Sequence, residues 1–183
     1  LIRSDDMRKN KGFTYYELLI VIAIMSLMVG FTTIGIGAAH RNNVNRWADK
    51  IESASKQARN NAISKGNAKG YLNLYYKDKK LYSYVGEQLT TTPDVKSMNL
   101  IASNVDSLNV GFDTIAGHIN MGCPSGCLLN IGFKQSTGEV SGLVFPFAGP
   151  TKYPSDLNIM LENGNNHCTI EIDRYGSIST KMN

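Results

Sequence analysis

Lys11-Gly12-Phe13-Thr14-Tyr15-Tyr16-Glu17-Leu18-Leu19-Ile20-Val21-Ile22-Ala23-Ile24 opens the stretch whose reading decides the fold. From Leu18 to Ala39 no charged residue occurs for 22 positions. About 20 apolar residues in a helix cross the hydrocarbon core of a bilayer, so the run predicts a membrane-crossing helix. Glu17 stands at its leading edge. A carboxylate well inside a bilayer costs about 2.5–3.5 kcal/mol on insertion scales. Such a group sits at headgroup level or has a partner.

The 183 residues are 42% hydrophobic and 19% charged, which suits one modest globular domain plus one helix. The net charge is +4. Residues 1–12 hold Arg3, Arg8, Lys9 and Lys11 against Asp5 and Asp6, leaving fifteen basic and thirteen acidic residues elsewhere. That bias is too weak to argue an anionic partner. Met7 reads as the initiator, with Leu1–Asp6 as upstream read-through.

Three readings of the N-terminus compete. The first is a plain signal anchor, its cytoplasmic end fixed by Arg8, Lys9 and Lys11. The second is a secretory signal peptide cut near Gly37-Ala38-Ala39, although the apolar run exceeds the usual h-region. The third rests on resemblance. A short basic leader, the Gly12–Phe13 junction, Thr14, Glu17 and Leu18-Leu19 resemble the class III signal of type IV prepilins and type II secretion pseudopilins. Tyr15 and Tyr16 stand where that pattern usually has other residues.

The resemblance implies a structural subunit, a minor pilin, of a type IV pilus-like filament. A prepilin peptidase would cut between Gly12 and Phe13, and Phe13 would be N-methylated. Glu17 would serve assembly by pairing with the amino terminus of a neighbour. Implied partners are the prepilin peptidase, other pilin subunits, the inner assembly platform, and membrane lipid before assembly. The implied location is a single-pass inner-membrane protein with its head outside, then an extracellular or periplasmic filament. The alternatives are a competence pseudopilin aiding DNA uptake and a type II secretion pseudopilin.

Beyond the apolar run, Val44, Trp47, Ile51, Ala54, Ala58 and Ala62 recur at helical spacing, opposite Asp49, Lys50, Ser53, Lys56, Gln57 and Asn60. Trp47 reads as a core anchor, and Gly66 as the stop. A helix from 13 to 65 would span about 80 Å at 1.5 Å per residue. Period-two patterning then predicts a hairpin, 71–76 with 81–85 around a lysine-rich turn, and a loop over 86–97. Further strands are expected at 107–112, 128–133, 140–145, 157–161, 169–172 and 177–180. Gln135–Gly138 and Asp173–Gly176 have turn chemistry.

The expected architecture is α+β and pilin-like: a long N-terminal helix, half transmembrane and half amphipathic, packed on an antiparallel β-sheet head. Its parts are a leader over 1–12, a transmembrane and assembly helix over 13–39, an amphipathic continuation over 40–66 and a β-rich head over 67–183. The layout also resembles the GspH/FimT group, through Ala58-Arg59-Asn60-Asn61-Ala62-Ile63 before a strand and through the closing hairpin around Gly176. In some members of the FimT branch a Gly-Arg-x-Arg type motif near the C-terminus binds DNA during uptake. Here the hairpin reads Arg174-Tyr175-Gly176-Ser177, with Arg174 and Lys181 as its cations. Phosphate affinity grows with the number of neutralised charges, so this hairpin predicts weak DNA binding. Lys77, Lys79, Lys80 and Lys134 add a mild basic patch.

The three cysteines are Cys123, Cys127 and Cys168. Cys123-Pro124-Ser125-Gly126-Cys127 admits a small disulfide loop, a pair of free thiols or a metal site. Zinc spacing is lacking, and no metal or cofactor is expected. Cys168 lies in an alternating strand as a small buried residue, its pairing open. His40, His118 and His167 stand near no nucleophile motif, and no phosphate-binding glycine loop occurs. No enzyme activity is expected.

Overall fold

The computed structural model describes residues 13–114, 117–145, 149–151 and 156–182, with side chains over 13–30, 42–112, 120–144 and 156–181. The leader 1–12, with Met7 and Gly12, lies outside the described residues, as do the side chains of His40 and His118. Two compact units divide the chain, residues 1–39 and 40–183.

Helix α1 runs Tyr15–Lys65, 51 residues. In the first unit its described side chains end at Gly30. Among the described residues no helix is long and apolar enough to cross a membrane. This overturns the transmembrane half of the helix and the single-pass membrane placement drawn from residues 18–39.

The expected fold class is corrected as well. The second unit is not one sheet behind a long helix but a mostly β body of two antiparallel sheets. Its strands are β1 (Tyr71–Lys77), β2 (Lys80–Gly86), β3 (Asn99–Ser103), β4 (Ser107–Thr114), β5 (Gly117–Gly122), β6 (Cys127–Phe133), β7 (Val140–Phe145), β8 (Gly149–Thr151), β9 (Asp156–Asn163), β10 (Asn166–Asp173) and β11 (Ile178–Met182). One sheet is ordered β3-β2-β1-β6-β7-β8 and the other β11-β10-β9-β4-β5. The patterning of single strands cannot report this, because pairings such as β1 with β6 and β4 with β9 join distant segments.

Alternation supplies the core. Leu72 and Leu74 of β1, Leu129 and Ile131 of β6, Val110 and Phe112 of β4, Leu157, Ile159 and Leu161 of β9, and Ile170 and Ile172 of β10 join one buried cluster. Val44, Trp47, Ala48, Ile51, Ala58 and Ala62 of the helix belong to the same cluster. The close approach at the helix end needs Gly70: a Cβ there would lie 2.3 Å from that of Ala62.

Two details fix the periphery. Asp78 and Lys79 both have positive φ, 50° and 58°, as a two-residue type I′ hairpin turn requires. At β3 the register with β2 slips past Ile101. Lys50 Nζ donates to the carbonyls of Leu100 and Ile101 at 3.3 and 3.2 Å, covering part of a sheet edge.

Candidate functional site: the head of the helix and the junction at its end

Thr14 precedes the first helical residue, where backbone N–H groups lack intrahelical partners. Its N–H donates to Glu17 Oε2 at 2.8 Å and its hydroxyl donates to the same oxygen at 2.9 Å. Glu17 N–H donates back to Thr14 Oγ1 at 3.3 Å. This is a reciprocal capping box. The bonds from Thr14, backbone first, hold the Glu17 carboxyl below its ordinary value. Glu17 is exposed and caps its own helix here. Phe13, the other described residue of the expected processing site, is exposed beside it.

Every described side chain from Phe13 to Gly30 is exposed. Leu18 is 53% exposed and Met28 66%. An apolar helix bare to solvent on all sides is a surface awaiting cover, since burial of each large side chain is worth about 1.5–3 kcal/mol.

At the far end of α1, Arg59 and the closing hairpin around Gly176 meet. The Gly138 turn and the Gly176 turn, one from each sheet, touch over Arg59. A Cβ on Gly176 would lie 2.2 Å from the Gly138 carbonyl oxygen and 3.3 Å from Arg59 Nε. Val140 N donates to Arg174 O at 3.2 Å across the same junction. Arg59 Nε is buried without a hydrogen-bond partner among the described residues. Arg174 lies over the Tyr175 ring at 5.1 Å. Three of the other expected cations are engaged: Lys181 with Glu171 at 2.7 Å, Lys134 with Glu139 at 2.9 Å, and Lys79 with Asp106 at 3.1 Å.

Cys123 and Cys127 are buried free thiols, so the disulfide set out for them is not closed in this structure. The thiols hydrogen-bond each other; this contact foremost, then burial, pushes Cys123 up, and the same bond lowers Cys127. Cys168 is also a buried free thiol on β10, and burial pushes it up to about 11. Among the described residues no group of His, Cys, Asp or Glu is placed to hold a metal ion.

No protein-family model, curated protein or solved structure matches this chain. The comparisons thus give no support to membership in the pilin or pseudopilin families, and that attribution rests on the residues around Gly12, Phe13 and Glu17 alone.

Sequence reasoning missed the capping function of Thr14 and Glu17. The signal is present in Thr14-x-x-Glu17 ahead of an apolar run, where the same two residues also fit the processing pattern.

Proposed function

We propose that this chain is a structural subunit of a pilin-like filament, released from its leader between Gly12 and Phe13 and assembled through its N-terminal helix. The observation that carries the reading is the helix beginning at Tyr15, whose described apolar side chains are exposed on every face. A one-sided stripe would suit docking on a single partner. Exposure all round suits a helix enclosed by copies of itself, where neighbours cover each face.

Glu17 fits the reading in a specific way. Its carboxylate is held ionised by its own Thr14. Enclosure among apolar neighbours would require a cation to compensate it, and a neighbour's free amino terminus supplies one.

The test is the intact mass and N-terminal sequence of the protein from its native cells, with filaments examined for its presence. A start at N-methyl-Phe13 and incorporation into filaments support the proposal. A start at Met7 or near His40 overturns it.

A further inference from the structure

We propose that Cys123 and Cys127 are a reactive dithiol that closes to an intrachain disulfide across the turn joining the two sheets, by exchange with a protein or small-molecule disulfide. Each thiol is anchored to a different sheet. Cys123 follows β5, and its N–H donates to Leu108 O on β4 at 2.8 Å. Cys127 opens β6 and is the register partner of Tyr76 on β1. Gly126 N donates to Tyr76 O at 2.7 Å, and Cys127 N closes the turn on Pro124 O at 3.1 Å. Gly126 has φ 91°, so the turn takes a conformation suited to glycine.

Both thiols are buried at the two ends of this turn. Four positions apart across one turn, the two cysteines are spaced for a small closed loop with a bond near 2.05 Å. Both side chains are buried, while Pro124, Ser125 and Gly126 between them are exposed. Local opening of this short turn gives an oxidant access without unfolding either sheet. Cys168 is placed apart, on β10 opposite Leu161.

The chemistry balances in two exchanges. Cys127, whose thiolate is favoured by the hydrogen bond from Cys123, attacks one sulfur of the incoming disulfide and expels the other as a thiolate. Cys123 then loses its proton and attacks the Cys127 sulfur, expelling the second thiolate. One S–S bond forms in the chain and one breaks in the oxidant. The two electrons pass to the oxidant, and the two protons lost from the chain's thiols go to solvent or to the expelled thiolates.

The closed loop is short, so the chain-entropy gain is at the low end for disulfides. The result is a local clasp between sheets. Its presence is independent of the filament reading.

The experiment equilibrates the full-length chain in detergent with glutathione mixtures of increasing oxidised fraction. Free thiols are then alkylated under denaturing conditions and counted by intact mass. Alkylation should fall from three sites to one, with Cys168 retained and a peptide carrying the Cys123–Cys127 bond. Cys168→Ser should still close the bond. Three alkylated thiols at every mixture, a bridge that includes Cys168, or a stable glutathione adduct in place of closure would each overturn the proposal.

Discussion

Thr14 and Glu17 hold each other across the first turn of α1, the Thr14 N–H and hydroxyl both reaching the same Glu17 oxygen. Glu17→Ala and Thr14→Ala should each fray the first turn, read as faster amide exchange at residues 15–18. Glu17→Gln keeps a group able to cap but removes the charge. If charge pairing drives assembly, Glu17→Gln should hold the helix start yet enter filaments poorly; normal incorporation would refute that role.

The same pair sets a pH dependence. Glu17 is held below its ordinary value by the bonds from Thr14. Its contribution to the helix start is present above the unfolded-state value and is lost as pH falls through the lowered folded value. Amide exchange at the first turn should therefore accelerate in acid, and Glu17→Gln should remove that pH response.

Cys168 acts with the opposite sign. Its ordinary value is 9.0, and burial raises it to about 11 in the folded chain. Stability from the neutral thiol is fully present below the unfolded value and is lost as pH rises from there through the folded one. The loss should reach about 3 kcal/mol. Denaturant midpoints compared across this range should fall less steeply for Cys168→Ala than for the parent.

Lys79 is held at φ 58° in the β1–β2 turn. A side chain in the left-handed region costs about 1 kcal/mol, and glycine removes that cost. Lys79→Gly should raise the thermal midpoint, despite loss of the exposed contact with Asp106, because such surface pairs are worth little.

Gly70→Ala should do the reverse. The added methyl would meet Ala62 where the end of the helix packs beside β1. Overpacking of this kind costs about 1–3 kcal/mol. Urea denaturation should show the loss, and Ala62→Gly in the same chain should recover part of it.

The residues differ in how openly they declared their places. Val44, Trp47, Ile51, Ala58 and Ala62 share a helical face in the sequence and are buried in the structure. The β1–β2 hairpin is equally plain, because both strands alternate around a tight turn. β3, β5 and β8 escaped notice for separate reasons. β3 is short and follows a polar loop, β5 carries Gly117 and Gly122 at its ends, and β8 is three residues containing Pro150. The division into two sheets depends on which strands pair, and β4 finds β9 only through the assembled core. Around the helix head, Glu17 was legible as a notable charge but not as a cap. The uncharged run after it overstated what the described helix can do in a bilayer.

The two sheets draw their strands alternately from the chain: β1–β3 and β6–β8 in one, β4–β5 and β9–β11 in the other. Neither can be completed from one end of the polypeptide. During synthesis the face from Val44 to Ala62 emerges well before Ile170 and Ile172, which share its buried cluster. The apolar helix face must therefore wait, uncovered, for nearly the whole head to be translated. Any holding factor that meets this protein on the ribosome would find a long-lived target there.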